Sequence, residues 1–247
     1  MSYRTHNPMA LVLALLTWSA ASPSPAAMVE HLSFNEAHGT VVHDSSGYGN
    51  DGTFQGASWI EGVAGSALAF DGEGGHVEIA NSNSLNIQGN AITIAAWFKR
   101  TALNDDGAFV FKNSQYCLAI NDQGRLSFSL YTPTWYSVVM NWPDRLMDTK
   151  WHLVAAVYDG ATMAIYLDGT EIVSGANTGN IQQQTSNIWV GSQSEGLNQF
   201  GGILDEVSIY DHALSGTALA AMIPEPTTLG LVVLGGIAAL MRRRRRA

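Results

Sequence analysis

Residues 151–169 read WHLVAAVYDGATMAIYLDG. The second half alternates: Met163, Ile165 and Leu167 fall on one side of an extended chain, and Thr162, Ala164 and Tyr166 on the other. Successive side chains of a strand point to opposite faces, so a period of two predicts a half-buried strand. Asp159-Gly160 and Asp168-Gly169 bound it. Asp-Gly suits the tight turns between antiparallel strands, where the central residues take positive φ. Consecutive hairpins therefore predict an antiparallel sheet.

The same grammar extends outward. In AITIAAWFKR (91–100), Ile92, Ile94, Ala96 and Phe98 share one face, with Thr93, Ala95, Trp97 and Lys99 opposite. Further short runs lie at 186–191 and 203–210, and helical periodicity is almost absent. Many short strands broken by Gly, Asn and Asp predict an all-β protein, a two-sheet antiparallel sandwich. About 200 residues lie between the two ends, enough for two packed sheets, and no internal repeat divides them, so one domain is predicted. The single cysteine, Cys117, has no intramolecular disulfide partner, and YCLAIND places it at a buried strand position.

Both ends read as addresses. Arg4 and His6 precede an apolar run from Met9 to about Trp18, followed by small residues and prolines ending in SPAA. That is the plan of a secretory signal peptide over residues 1–27. At the other end, 227–241 is apolar or small and is followed by five arginines, 242–246. As a helix the run reaches about 22 Å against a hydrocarbon core of roughly 30 Å, enough for a thin or deformed bilayer with the arginines on the cytoplasmic side. Without the ends, residues 28–226 hold six basic residues against all 21 acidic ones, a net charge of −15. Such a balance argues against nucleic acid or anionic lipid as partner and suits a soluble extracellular domain.

Two resemblances follow from the order of motifs. LSFNEAHGTVVHDSSGYGNDGTF, WIEGVAGSALAFDG, ITIAAWFKR, WHLVAAVYDGATMAIYLDGTEI and FGGILDEVSIYDHALS together resemble the LamG-like jellyroll of the concanavalin A-like lectin and glucanase superfamily, over residues 28–222. The fold implied is a jellyroll of two curved antiparallel sheets; the fold alone does not fix a function. Residues 223–247 resemble the PEP-CTERM sorting signal of Gram-negative bacteria: Pro224-Glu225-Pro226, a short hydrophobic helix and an arginine cluster. That resemblance implies an inner-membrane precursor, cleavage by an exosortase, and delivery to the cell surface or extracellular matrix.

Two regions are candidate sites. HDSSGYGNDG (43–52) lacks the EF-hand spacing but offers hard oxygen donors: Asp44, Asn50, Asp51 and the carbonyls near Gly47 and Tyr48. Far along the chain, Asp205 shares the strand face of Ile203, Val207 and Ile209, and a carboxylate there has to be neutralised, paired or metal-bound. The family resemblance implies a structural Ca2+ held by Asp44, Asp51 and Asp205. The alternative is that Asp44 and Asn50 bond their own turn and that Asp205 caps a strand end. The second region, LYTPTWYSVVMNWPDR (130–145), concentrates aromatics, of which Trp135, Tyr136 and Trp142 are the candidate ligand-binding residues. They either stack on sugar rings, with Asn141 and Asp144 bonding hydroxyls, or fill the core. Trp97 and Trp151 are assigned to packing.

Catalytic signals are missing. None of the nine glutamates has an aspartate two positions on, so the paired glutamates of retaining glucanases are not encoded. Asp205 and Glu206, adjacent on a strand, are expected on opposite faces. No G-x-S-x-G, H-E-x-x-H or P-loop occurs, and His152 belongs to a structural motif. The expectation is a non-enzymatic surface or matrix protein that binds extracellular polysaccharide or another surface protein. Its rivals are a glycan-cleaving enzyme with unfamiliar carboxylates and a self-assembling matrix protein.

Overall fold

The stretch at 151–169 folds as its alternation predicts. Val154 lies opposite Leu167 and Tyr158 opposite Met163, and Asp168 and Gly169 turn the chain with φ of 49° and 76°. Asp159 fixes the first turn by accepting the backbone N–H groups of Ala161 and Thr162.

The computed structural model describes residues 27–102, 105–141, 146–194 and 197–224. Among them the chain forms, in order, β1 (Met28–Leu32), β2 (Val41–Val42), β3 (Gly52–Gln55), β4 (Ala57–Glu61), β5 (Ser66–Asp71), β6 (His76–Ile79), β7 (Ile92–Arg100) and β8 (Gly107–Lys112). There follow β9 (Tyr116–Ile120), β10 (Leu126–Thr132), β11 (Thr134–Val139), β12 (Trp151–Tyr158), β13 (Thr162–Leu167), β14 (Thr170–Ala176), β15 (Ile188–Val190), β16 (Gly201–Tyr210) and α1 (Gly216–Ala220).

The strands make two antiparallel eight-stranded sheets, the jellyroll sandwich that the sequence predicts. The first runs β14-β13-β12-β7-β16-β5-β4, with β1 also on β16; the second runs β11-β10-β9-β8-β15-β6-β3-β2. One apolar core fills the space between them. Ile92, Ile94, Ala96 and Phe98 of β7 face it, with Met163 and Ile165 of β13, and Leu118, Leu126, Phe128 and Leu130 of the second sheet. Cys117 is buried in β9 and unpaired, and burial pushes its thiol up to about 11.

The outer face of the first sheet is also covered in part. Ala95, Ala155 and Val157 pack beneath Leu219 of α1, whose amino end is capped by Ser215 Oγ accepting from Ala218 N.

One irregularity overturns a sequence expectation. In β16 the partner of Asp205 is Trp97 but that of Ser208 is Ala95, so one extra residue is inserted, with Glu206 at φ 49°. Such a bulge shifts the alternation by one. Leu204 faces the core before it, and Val207 and Ile209 after it. Asp205 therefore does not share the face of Val207 and Ile209. It sits opposite Trp97 on the outer side. The bulge falls where β5, paired with 201–204, gives way to β1, paired with 207–210.

Candidate functional site

Residues of β8 to β11 build a trough on the outer face of the second sheet, its hydroxyls coming from β10 and β11. In β10, Leu126, Phe128 and Leu130 turn inward, which leaves Ser127 and Ser129 outside. Ser129 lies opposite Ser137 of β11, their hydroxyls 2.7 Å apart. Tyr131 lies opposite Trp135, and the two rings meet edge to face at 5.4 Å. Trp135 is 48% exposed and stands at one side of a concavity of about 520 Å³. The far side is polar: Asn198 Nδ2 donates to Gln193 Oε1 (2.7 Å), and Gln193 Nε2 donates to Cys117 Sγ (3.2 Å) on the floor. Asp106 is the one charged residue among the described residues lining the trough. An aromatic plane beside hydroxyls and amides is suited to an uncharged polyhydroxylated ligand.

The three candidate aromatics do not act together. Trp135 faces the trough. Its neighbour Tyr136 lies opposite Leu130, a core residue, so it points to the other side of the strand. There its ring reaches toward Gly175 of β14 and closes the side of the sandwich. Trp142, and Asp144 beside it, lie outside the described residues.

The loop at 43–52 is organised by its own hydrogen bonds. Asp44 Oδ1 accepts from His31 N (3.1 Å) and Ser46 N (2.7 Å), and Oδ2 from Ser46 Oγ (2.7 Å) and Asn50 N (3.0 Å). Burial works against its charge, yet these bonds hold its carboxyl below the ordinary range. Four donors take up the lone pairs of one carboxylate. Asp51 accepts from Asp44 N and meets His43 Nδ1, which keeps it low as well. Asn50 is tied elsewhere, donating to Val29 O and Ser84 Oγ and accepting from Ser82 Oγ.

Asp205 serves another turn. Its Oδ2 accepts from Val63 N (2.9 Å) and Ala64 N (3.2 Å), and its Oδ1 from Glu206 N (2.9 Å). Burial pushes its carboxyl up to about 6 against the pull of those N–H groups. Among the described residues no three His, Cys, Asp or Glu side chains gather to hold a metal ion. Asp44 and Asp51 serve the 43–52 loop, whereas Asp205 serves the β4–β5 turn, so the three carboxylates expected to share a calcium ion form no such group among the described residues.

The bulge also corrects the expectation that Asp205 and Glu206 point apart. Both lie outside the first sheet, where Glu206 pairs with His31 Nε2 (2.8 Å) beside a groove floored by Trp97 and Ala95. Met28 and Pro224, from the two ends of the described chain, border that same groove. Pro224 is the one described residue of the expected sorting motif; Glu225 and Pro226, the run 227–241 and residues 1–26 lie outside. Among the described residues no helix is long and apolar enough to cross a membrane.

A family model described as the concanavalin A-like lectin/glucanases superfamily matches residues 71–220, more than half of the chain. The chain belongs to that superfamily. The comparison with curated proteins gives no match. Among solved structures, the concanavalin A-like domain is similar to domain 4 of AbnA, a GH43 extracellular arabinanase from Geobacillus stearothermophilus, in complex with arabinotriose. The TM-score is 0.65 at 19% identity, over 81% of this chain and 99% of that one. It is also similar to the binding domain of Paraclostridial Mosquitocidal Protein 1 (TM-score 0.66, 17% identity, 79% of this chain and 51% of that one). The botulinum neurotoxin serotype G binding domain gives a TM-score of 0.62 at 15% identity, over 79% and 50%. The chain spans about half the length of these two toxin domains, and at such identities the likeness is one of fold.

Within the concanavalin A-like domain, His152 is a joint between elements. Its Nδ1 meets Asp168 Oδ2 (2.8 Å) and its Nε2 meets Asp148 Oδ1 (2.9 Å), while Asp168 also accepts Leu153 N. The bond to Asp168, opposed by burial and aided by Asp148, lifts the imidazole above its ordinary range. Its two nitrogens thus tie the β13–β14 turn to the loop before β12. Asp205 is fully buried and bonded to three N–H groups.

Proposed function

We propose that this domain binds an uncharged extracellular polysaccharide through the trough on the second sheet, without cleaving it. The observation that carries this reading is Trp135, half exposed beside Ser127, Ser129, Ser137, Gln193 and Asn198. The arabinotriose complex of a structure similar in fold over most of its length supports a sugar ligand, and the toxin binding domains support binding as the general role. On this reading the precursor is exported, held at the inner membrane by its tail, cut by an exosortase near Pro224, and released to the surface or matrix.

The test is affinity electrophoresis and calorimetry on a panel of neutral polysaccharides, arabinan included. Trp135→Ala should weaken binding by about tenfold or more, the equivalent of about 1.4 kcal/mol. Retention that ignores Trp135 would remove the trough from the argument. Reducing ends released from the panel, and lost in an Asp or Glu variant, would mark a glycan-cleaving enzyme instead. Concentration-dependent assembly with no retention on any glycan would mark a matrix protein that contacts its own copies.

A further inference from the structure

The loop at 43–52 carries one feature that its hydrogen bonds do not explain. Tyr48, at its tip, is 53% exposed, carried between Gly47 (φ 94°) and Gly49 (φ 74°). Left-handed backbone on both sides costs glycine nothing and stands the ring out from the loop. Beside it opens a cleft of about 490 Å³ lined by Asn83, Asn86, Gln88, Asp211 and His212, with Val29 and Ile87 as apolar ground. That volume is within the range of small-ligand sites, about 300–1,000 Å³. Asn83 and Gln88 are exposed, and their side chains make no hydrogen bond to another described residue.

The walls are fixed from behind. Asp44 closes the loop with four hydrogen bonds, and Asn50 ties it to β1 and to Ser82 and Ser84. The facing segment is pinned by the buried Lys112, whose Nζ donates to Asn81 Oδ1 (2.9 Å), Leu85 O (2.9 Å) and Asn86 Oδ1 (3.1 Å). A binding surface held in shape before its ligand arrives loses less freedom on binding. The two sites share no residue. The trough lies on β8 to β11, and the cleft lies beside the β2–β3 loop at the other end of the same sheet, with β15 and β6 between.

We infer that the Tyr48 cleft is a second saccharide site, with the tyrosine as stacking plane and Asn83, Asn86 and Gln88 bonding the hydroxyls of a neutral sugar. The inference takes its ligand class from the function proposed above, but it stands on different residues. Two separate sites let one domain bridge two glycan strands or grip one strand twice, which raises avidity without any new contact.

The experiment is a heteronuclear NMR titration of the 15N-labelled protein with arabinotriose, cellotriose and chitotriose, repeated on Tyr48→Ala, Tyr48→Phe and Trp135→Ala. Shifts are expected in two groups, at 46–50 with 83–88 and at 127–137. Tyr48→Ala should raise the Kd read from the first group by about tenfold while leaving that of the second within about twofold, and Tyr48→Phe should keep the ring and the binding. Shifts at 127–137 alone would overturn the second site and leave the trough standing. Shifts at 46–50 and 83–88 alone would uphold the second site and remove the trough. No shifts with any of the three sugars would overturn both.

Discussion

Glu30 is a carboxyl in the wrong place for its charge. It lies in β1 with no exposed surface, neither oxygen has a hydrogen-bond partner among the described residues, and the hydroxyl of Tyr116 in the same core is also unpartnered. Burial, with the charges of Asp44 and Asp51 added, pushes it from 4.5 up to about 9. It is therefore an uncharged acid in the folded protein at neutral pH. The unfolded chain releases that proton above pH 4.5 and the folded one holds it to about 9, so stability from this group is full below 4.5 and is lost as pH rises toward 9. The slope is about 1.4 kcal/mol per pH unit, and the loss amounts to about 3 kcal/mol by pH 7. Urea midpoints measured from pH 5 to pH 8 should fall more steeply for the wild type than for Glu30→Gln, and the difference isolates Glu30 from Asp205 and His152. Equal slopes would mean that Glu30 is solvated and charged in the folded state.

At the scale of elements, the bulge in β16 decides what Asp205 does. Two N–H groups of the β4–β5 turn, those of Val63 and Ala64, are held by its carboxylate, and a hydrogen bond to a charged group is worth about 1.5–3 kcal/mol. Asp205→Ala should therefore destabilise by about 2–4 kcal/mol. The drop in melting temperature should be the same in EDTA and in millimolar calcium; a loss confined to calcium-containing buffer would restore a metal to this carboxylate. The bulge also marks the limit of what the sequence could disclose. The faces of β7 and β13 were legible because their alternation is unbroken, and the turns because Asp-Gly announces them. Asp205 was misplaced because the residue that absorbs the extra position is Glu206, not a glycine, and nothing local signals a left-handed glutamate. The trough was half legible: Ser127, Ser129 and Tyr131 alternate with Leu126, Phe128 and Leu130 in plain view. Asp106, Asn121, Gln193 and Asn198, which complete its lining from three different loops, meet them only through strand order. Trp135 and Tyr136 are adjacent in a strand and had to diverge, which the period of two implied once the stretch was known to be extended.

Over the whole molecule, residues 28–226 carry a net charge of −15, and among the described residues neither proposed saccharide site is lined by a lysine or arginine. A polyanion approaching either site meets a field of its own sign, screened beyond about 8 Å at physiological salt. Neutral polysaccharides should be retained equally at low and at moderate salt, while alginate and polygalacturonate should pass unretained. Tight, salt-sensitive binding of either acidic polymer would contradict the ligand class proposed for both sites. The position of the chain's two described ends completes the picture. Met28 and Pro224 border one groove on the outside of the first sheet, and the trough opens on the outside of the second. On the proposed reading, a precursor moored by the segment after Pro224 would turn its first sheet to the lipid and its trough outward, and would take hold of secreted glycan while still tethered and carry it along when the tether is cut.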